Sequence, residues 1–463
     1  MTFSTLRWIL LLAVSYLTIF WISSYAVVAL LLISVLTYIF GLLLRWKKDR
    51  FWLFAFITCV STPLILSRVY FVNLHLALNL LGLIGLSFYT LKSLSYLIDV
   101  YHRKIPSERN FVYLALYLAF LPQLFAGPID RPANFITQMR NPIKLTGGRF
   151  YEGSIRILWG LFLKIVIADR VAVIVNAIFL HPQDFIGLPL ILGMTLFSIQ
   201  IYTDFSGYSN ISIGTSRILG IDSAENFNKP YLSKTVQEFW TRWHISLSSW
   251  LKDYIYIPLG GSRNGFGIQT VSVFATFLLS GLWHGVGVTF LVWGLLHGLI
   301  LIATNLFRII GLEFKKDNDW KTLWQLISRI YGWFAIPITF SIITILWTFF
   351  RATSLSDALY ITTHFYRGIG AVLRLLTSLK WQDLWNLFFV PNYEISEDIF
   401  ISTIFALLLY AILSKLSTDM EKSYLRNLPV IQRWSFYYVV LFSIAFTLFF
   451  YDQNTVRFIY SRF

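Results

Sequence analysis

Charged residues are scarce in this sequence. They make up 13 % of the 463 residues, whereas hydrophobic residues make up 57 %. A soluble domain has about 25 % charged and roughly 45–50 % apolar residues. The chain also contains 42 Phe, 25 Tyr and 17 Trp, which is more apolar surface than a water-soluble protein of this size can bury. The composition therefore excludes a soluble enzyme and a disordered chain, and it predicts a polytopic membrane protein.

Several catalytic signatures are also missing. The single cysteine, Cys59, excludes an internal disulfide. The sequence has no HExxH, no CxxC and no histidine-rich cluster, so we expect no bound metal. The GxSxG elbow of hydrolases and the phosphate loop GxxxxGK[ST] are absent as well. The soluble acyltransferase pattern, a histidine with an aspartate five residues later, fails at His244 because position 249 is Ser249.

Long apolar runs make up most of the chain. A helix needs about 20 mainly apolar residues to cross the hydrocarbon of a bilayer. Runs of this kind lie near residues 5–22, 25–44, 51–72, 76–98, 111–127, 153–178, 187–203, 206–220, 269–283, 287–308, 330–350, 397–415 and 434–451. We therefore predict an all-α, polytopic transmembrane helix bundle of about 11–13 spans or re-entrant helices, folded as a single integral-membrane domain over residues 1–463.

Two polar stretches interrupt the apolar runs. Residues 126–149 contain three prolines, and residues 222–267 mix aromatic with cationic side chains. Such a mixture is typical of helices that lie in the headgroup region or dip into a cavity, so we predict interfacial helices here. The second stretch ends in PLGGSRNGFG, whose glycines and proline predict a sharp turn.

The net charge of +15 is explained by basic loops beside the apolar runs rather than by nucleic acid binding. Residues 45–50 and 102–109 are two such loops, separated by two predicted spans. They therefore lie on the same side of the membrane. The positive-inside rule predicts that this side, and the N-terminus with it, is cytoplasmic.

His284, in the segment LLSGLWHGVG, is the sharpest candidate for chemistry. An ionisable side chain inside hydrocarbon costs at least about 2.5–3.5 kcal/mol, so it is a functional candidate by default. Burial keeps the imidazole neutral, and a neutral ring can take a proton from a hydroxyl group. Glycines on both sides leave room for a substrate or another helix. The alternative is a structural histidine bonded to a nearby backbone carbonyl.

Three further ionisable residues stand out. His244 lies in the aromatic and cationic stretch, where an interfacial anchor is the alternative role. Asp204, between two apolar runs, could orient a histidine, coordinate an ion or pair with an arginine such as Arg242; a structural ion pair is favoured. His297 follows His284 by thirteen residues. On one continuous helix it would face about 220° away, which favours a packing role.

Three segments then match a known family. They are YTDFSGYSNISIGTSRILGI, ENFNKPYLSKTVQEFWTRWHISLSSWLKDYIYIPLGGSRNG and FLLSGLWHGVGVTFLVWGLLHG. With GLSFYTLKSLSYLIDVYHRKI, LPQLFAGPIDRPANFITQ and WTFFRATSLSDA, they make the chain similar to the membrane-bound O-acyltransferase family. Within it, the chain resembles the bacterial alginate O-acetyltransferase branch. The motif-rich core runs from about residue 80 to 360.

The resemblance implies a helical membrane enzyme with a central tunnel, His284 as the catalytic histidine and His244 as the second motif histidine. It implies transfer of an acetyl group from a cytoplasmic thioester, such as acetyl-coenzyme A, to hydroxyls of an exported or cell-surface polysaccharide. Separate extracytoplasmic acetyltransferase proteins commonly assist, and no cofactor is expected to stay bound. The teichoic-acid D-alanylation branch shares both histidines, so D-alanyl transfer to a cell-wall polymer is the alternative.

We expect further substrate-binding residues beside these histidines: Asp204, Trp240, Arg242, Lys252, Asp253, Arg263 and Trp283. The cations among them are candidates for the donor's phosphates, although such residues usually form a solvated face. Non-enzymatic alternatives are a transporter and a scaffold subunit of a polysaccharide-modification complex. A transporter would need intramembrane carboxylate clusters or broken helices in paired halves, and only Asp204 favours it.

Overall fold

The structure is a computed structural model that describes residues 3–46, 49–73, 85–316, 318–367, 370, 397–417 and 429–450. Its helices are α1 (Phe3–Ile22), α2 (Ser24–Leu44), α3 (Arg50–Asn73), α4 (Leu86–Tyr101), α5 (Phe111–Ala119), α6 (Leu121–Leu124), α7 (Pro132–Arg140), α8 (Gly147–Leu161), α9 (Asp169–Leu180), α10 (Leu188–Ile218), α11 (Val236–Arg242), α12 (Ile245–Leu251), α13 (Gly265–His284), α14 (Val288–Lys316), α15 (Asn318–Arg351), α16 (Leu355–His364), α17 (Glu397–Ser417) and α18 (Val430–Phe450). Two π-helical segments, Phe162–Ala168 and Lys252–Tyr256, follow α8 and α12 directly.

Eight of the described helices are long and apolar enough to cross a membrane. The qualifying segments are Ser24–Leu44, Arg50–Ser67, Leu188–Ile218, Gly265–His284, Val288–Gly311, Gln325–Arg351, Glu397–Ser414 and Val430–Phe450. Helix α1 adds a shorter apolar segment, Leu6–Ile22. No strand occurs in the part of the chain that the structure describes. The predicted all-α, polytopic membrane protein is therefore confirmed.

Some predicted spans differ from the observed helices. The run 111–127 forms two short helices, α5 and α6, rather than one span. The first part of the run 76–98 lies outside the described residues, and α4 begins at Leu86. The run 153–178 comprises α8, the π-helical segment and α9.

The predicted boundary between the runs 187–203 and 206–220 is wrong, because α10 is a single helix of 31 residues. Polar residues near its middle lower the hydropathy without breaking the backbone. Their hydroxyls bond back within the helix, as where Thr203 Oγ1 donates to the carbonyl of Ile199 at 2.8 Å. Asp204 therefore lies inside a helix and not between two spans.

The chain forms two compact units. The first comprises Met1–Ile157, Tyr208–Asn226 and His244–Pro258, and the second comprises Leu158–Gly207, Phe227–Trp243 and Leu259–Phe463. The first unit therefore contains α1 to α7 and α12. The second contains α13 to α18 together with α9 and α11.

The core of the first unit holds a buried cation among apolar side chains. Trp8 and Tyr117 are fully buried there. Lys92, only 2 % exposed, donates to the Tyr117 carbonyl at 3.1 Å and to Oε1 of Gln123 at 2.7 Å. The Gln123 amide in turn donates to Asp130 at 2.5 Å. These bonds stabilise an ammonium group that would otherwise be too costly to bury.

Glycines allow α8 and its π-helical extension to approach α10 closely. In the first unit, a Cβ on Gly153 would lie 2.6 Å from the carbonyl oxygen of Gly214. In the second unit, a Cβ on Gly207 would lie 2.9 Å from the carbonyl oxygen of Gly160. Small residues at such crossings let helix backbones approach within the membrane.

In the second unit, α13 and α14 form an antiparallel helical hairpin. A Cβ on Gly281 would lie 2.5 Å from the carbonyl oxygen of Phe290, and one on Gly294 would lie 2.4 Å from that of Phe277. Helix α14 also packs against α15, and α11 contacts α14 as well. The sharp turn predicted before this hairpin is present, since Gly260 has a positive φ of 112°.

The α15–α16 corner of the second unit is stabilised by Asp357. Its carboxylate accepts hydrogen bonds from Thr353, Ser354 and Gln183 at 2.6, 2.7 and 2.8 Å. Partial burial acts to raise the pKa of Asp357, but these hydrogen bonds outweigh it, so its pKa lies below the ordinary value. The carboxylate thus helps to cap the N-terminus of α16.

Candidate active site

His284 is the last residue of α13. The helix ends there because Gly285 is extended, with φ 176° and ψ 162°, and α14 starts at Val288. A side chain at Gly285 would meet the ring of Phe290 at 2.5 Å. The imidazole of His284 is therefore held at a helix end, in a tight turn, with only 4 % of its surface exposed.

Aromatic rings surround His284. The Trp293 ring lies 5.3 Å from the imidazole centroid at 89°, and the Phe350 ring lies at 5.1 Å and 79°. Trp283 contributes a third edge-on contact at 4.8 Å. An imidazole enclosed in this way meets little bulk water.

Trp293 also contacts a second histidine. The His297 ring lies 4.7 Å from that of Trp293, and the Trp240 ring contacts both, at 5.2 Å from His297 and 5.8 Å from Trp293. His297 is completely buried, in agreement with the packing role that we expect from the sequence. His284 and His297 lie on different helices, so the angle of about 220° expected for one continuous helix does not describe them.

His244 lies in the first unit, in an unusual backbone conformation. Its φ of 41° and ψ of 54° place it in the left-handed region just before α12. For a residue that is not glycine this conformation costs about 1–3 kcal/mol and is found preferentially at functional sites. The side chain is only 1 % exposed, and the role of His244 stays a prediction.

The backbone around His244 is held by Asn226. The Asn226 carbonyl accepts a hydrogen bond from the amide of Ile245 at 2.9 Å. Its side chain accepts one from the Ser246 hydroxyl at 2.6 Å and donates to the Ser209 hydroxyl at 3.1 Å. These bonds fix the segment on which His244 sits and offset the cost of its left-handed backbone.

Lys252 and Asp253 begin the π-helical segment after α12 in the first unit. Lys252 is exposed, and Asp253 is paired with Arg131 at 2.7 Å. The Arg131 guanidinium also lies 4.7 Å from the ring centroid of Tyr254, whose hydroxyl donates to Asp99 at 2.8 Å. Burial raises the pKa of Tyr254, which keeps this phenol protonated. The role of Asp253 in substrate binding stays a prediction.

The pairing of Asp204 with Arg242 is wrong. Asp204 is paired with Lys164 at 2.8 Å, and Lys164 also lies 2.7 Å from Asp169. Arg242 is paired with Glu238 at 2.6 Å, one turn earlier on α11. Sequence reasoning did favour a structural ion pair for Asp204, but it missed the partner, because Lys164 reaches it only through the close crossing of two helices.

In the second unit, Trp240 and His284 both contact Trp293, and Trp283 contacts His284. Asp204 and Arg242 instead have their own ion-pair partners, and Arg263 is exposed in the turn before α13. No group of three or more metal-binding side chains occurs among the residues that the structure describes. The assignment of these residues to substrate binding stays a prediction.

Sequence reasoning missed Trp293 and Arg131 as neighbours of the candidate residues. Both lie within segments that carry the family resemblance, FLLSGLWHGVGVTFLVWGLLHG and LPQLFAGPIDRPANFITQ. Their location in these segments was the only feature of the sequence that could have indicated them. Their contacts depend on helix packing, which one sequence does not reveal.

The fold and the candidate site define a helical membrane protein with a buried histidine enclosed by aromatic rings. The model of the membrane-bound O-acyltransferase family matches residues 100–345. The chain belongs to this family, which confirms the resemblance seen in its sequence.

The chain is similar to several named acyltransferases. The chain is 38 % identical over 275 residues to a probable alginate O-acetylase of Pseudomonas putida, covering 59 % of this chain and 53 % of the relative. It is 34 % identical over 318 residues to a peptidoglycan O-acetyltransferase of Helicobacter pylori, covering 63 % and 57 %. It is 28 % identical over 268 residues to a teichoic acid D-alanyltransferase of Bacillus subtilis, covering 55 % and 67 %. The matched region thus spans about half the length of the alginate O-acetylase.

Proposed function

We propose that this protein is a membrane O-acyltransferase that moves an acetyl group from a thioester to hydroxyls of an exported or cell-surface polysaccharide. The observation that carries the proposal is His284, a buried imidazole at the end of α13, with aromatic rings on several sides. Membership of the O-acyltransferase family and the names of the relatives agree with it.

In the proposed reaction, His284 takes the proton of the acceptor hydroxyl as the oxygen attacks the thioester carbonyl carbon. A carbon–oxygen bond forms, the carbon–sulfur bond breaks, and the leaving thiolate receives the proton from the imidazolium. No net proton is gained or lost. The aromatic rings around His284 exclude water and so favour transfer over hydrolysis of the donor.

We assign the holding of the donor or acceptor, or the polarisation of the thioester carbonyl, to His244. Its left-handed backbone and the Asn226 bonds that fix it support a site whose geometry matters. Lys252 and Arg263, both exposed, are the candidates for the phosphates of the donor. If they bind the donor in this way, its affinity falls steeply with added salt, whereas a flat response contradicts the assignment.

We place the protein in the inner (plasma) membrane as a multi-pass protein with a cytoplasmic N-terminus. Acetyl thioesters are made in the cytoplasm while surface polysaccharides lie outside, so the enzyme must bring together reactants from the two sides. The proposed partners are the polysaccharide acceptor and extracytoplasmic acetyltransferase proteins. Accessibility labelling of cysteines introduced into the loops 45–50 and 102–109 tests the orientation, since both loops must be protected from an impermeant reagent applied outside.

Transfer of labelled acetyl from acetyl-coenzyme A tests the proposal. The purified protein, in lipid nanodiscs, is incubated with donor and with alginate or peptidoglycan fragments. Thiol release and label on the polymer are then measured. An acyltransferase gives both in equal amounts. Substrate movement without acetyl release would instead indicate a transporter, and the absence of both, with restored activity on adding a partner protein, would indicate a scaffold.

The second candidate is D-alanyl transfer to a cell-wall polymer, which the similarity to the teichoic acid D-alanyltransferase favours. The same nanodisc assay separates the two when the donor is replaced by a D-alanyl thioester on a carrier protein. Transfer from that donor alone would favour the second candidate, and transfer from acetyl-coenzyme A favours the first.

A further inference from the structure

Residues 222–226 come shortly after α10 and begin the second polar stretch of the chain. They have no regular secondary structure, so their backbone groups take partners outside a helix or a sheet ladder. Each of the five residues forms a hydrogen bond with another part of the first unit, in which the whole segment lies. The 222–226 segment is thus fixed along its entire length.

The first two residues of the segment are held by α6, α7 and α8. The side-chain amide of Gln138 donates to the carbonyl of Asp222 at 3.0 Å and accepts from its backbone amide at 2.7 Å. The Asp222 carboxylate accepts two hydrogen bonds from Arg149, at 2.9 and 3.2 Å. The hydroxyl of Ser223 accepts one from Gln123 at 2.7 Å.

The next two residues are held by two charged side chains. The backbone amide of Ala224 donates to the carboxylate of Asp130 at 2.9 Å. The Arg156 guanidinium grips the Glu225 carboxylate with two parallel hydrogen bonds, Nη1 to Oε1 at 2.7 Å and Nη2 to Oε2. Its Nε donates to Asn210 of α10 at 3.0 Å. Two parallel bonds from one guanidinium fix the orientation of a carboxylate as well as its position.

The segment ends at Asn226, which holds the chain beside His244. The Asn226 carbonyl accepts from the amide of Ile245, the residue after His244, at 2.9 Å. Its side chain accepts from the hydroxyl of Ser246 at 2.6 Å. The left-handed backbone of His244 persists only when its surroundings over-determine it. The bonds along the 222–226 segment provide that constraint.

The Arg156–Glu225 pair is better explained by geometry than by stability. The two side chains are 17 % and 39 % exposed, and ion pairs that reach solvent contribute little net stability. A bidentate pair, however, is geometrically specific. Such a pair suits a segment whose exact placement matters.

We propose that Arg156 is a positioning residue for His244: by orienting Glu225, it holds the 222–226 segment and with it the backbone conformation of His244. This role rests on the proposed acyl transfer, in which His244 holds a substrate or polarises the thioester carbonyl. Arg156 acts on the reaction only through His244.

The first experiment compares Arg156→Met with Arg140→Met. Arg140 forms an ion pair of 2.7 Å with Glu108 in the same unit, outside the 222–226 segment. Glu108 is only 4 % exposed, so loss of its cation should lower the melting temperature at least as much as loss of Arg156. We expect kcat/KM for acetyl transfer to fall about tenfold in Arg156→Met and to stay within about twofold in Arg140→Met. An unchanged rate in Arg156→Met, or an equal loss in both variants, overturns the proposal.

A double-mutant cycle separates positioning from general destabilisation. If Arg156 acts through His244, its side chain matters only while the imidazole is present. We therefore expect Arg156→Met to lower kcat/KM by less than about twofold when it is added to His244→Ala. A further loss of about tenfold in that background would show that Arg156 acts independently of His244 and would overturn the proposal.

Hydrogen exchange follows the same segment without turnover. The amide of Ile245 donates to the carbonyl of Asn226, so its protection reports whether the 222–226 segment is held. We expect this protection to fall about tenfold in Arg156→Met and to stay at the wild-type level in Arg140→Met. Equal protection in Arg156→Met and the wild type overturns the proposal.

Arg156→Lys keeps the charge but not the two parallel bonds, so its rate and its Ile245 protection should lie between those of the wild type and Arg156→Met. Should Arg156→Met fail to fold, Arg156→Lys carries the same comparisons. If the folded wild-type protein transfers no acetyl group, the proposed function fails, and the exchange of Ile245 alone decides whether Arg156 holds the segment.

Discussion

The close crossing of α13 and α14 provides a direct way to test how His284 is positioned. Gly281 lies one turn before His284, and a Cβ added there would be 2.5 Å from the carbonyl oxygen of Phe290 and 3.2 Å from its carbonyl carbon. Non-bonded heavy atoms in ordinary contact are about 3.5–4 Å apart. Both contacts are with backbone atoms, which cannot rotate away. Gly281→Ala must therefore move the two helices apart by roughly 1 Å.

This displacement should affect activity more than stability. Overpacking of this kind costs about 1–3 kcal/mol, so the variant is expected to fold with a lowered melting temperature. A misplacement of about 1 Å at a reacting group can reduce the rate about a hundredfold. We therefore expect the rate of acetyl transfer to fall by up to this factor. Initial rates of thiol release and melting temperatures are measured on the same nanodisc preparation.

Gly267→Ala is the matched control, because Gly267 lies on the same helix and a Cβ there meets no atom within 4 Å. This variant is expected to keep the wild-type rate, with an equal or slightly higher melting temperature, since alanine favours the helix. Wild-type transfer and an unchanged melting temperature in Gly281→Ala would refute the claim that the tight crossing positions His284.

Three further variants test other parts of the structure. Lys164→Ala leaves Asp204 buried without its cation and should lower the free energy of unfolding by about 3–5 kcal/mol. A double variant with leucine in place of both Lys164 and Asp204 should restore much of the melting temperature. Asn226→Ala removes two side-chain hydrogen bonds beside His244. It should lower the free energy of unfolding by about 1–3 kcal/mol and reduce the transfer rate. An unchanged transfer rate would contradict a role for this segment in the site. The pKa of Asp357 is lowered in the folded protein, so the stabilisation that its carboxylate provides is fully present above about pH 4 and is lost as the pH falls through the lower folded pKa. Protection of the amides at the start of α16 against hydrogen exchange, relative to the intrinsic exchange rate at each pH, should therefore fall at low pH in the wild type but depend less on pH in Asp357→Asn.

The sequence predicts the helices well where apolar runs are long and continuous, as in α2, α13, α14 and α18. It fails in the middle of α10, because hydropathy counts Thr203 and Asp204 as polar, while the backbone there is held by helical hydrogen bonds and close packing. Hydropathy measures how favourably a side chain is solvated by water, whereas the continuity of a helix depends on its backbone hydrogen bonds.

His284 could be found from the sequence because an ionisable residue stands out in an apolar run. The rings around it could not. Trp293 contacts His284 because glycines bring two helices together, and Lys164 meets Asp204 forty residues away for the same reason. Such contacts depend on the register of helix crossings, which has no signature in the composition or spacing of one chain.

The most direct test of the central claim compares wild-type protein with His284→Ala in acetyl transfer to polysaccharide, at saturating acetyl-coenzyme A and with both proteins shown to be folded. General base catalysis contributes about 10²- to 10⁴-fold to a rate, so we expect His284→Ala to transfer acetyl at least about a hundredfold more slowly while still binding the donor. Transfer by His284→Ala at the wild-type rate would show that His284 is not the general base.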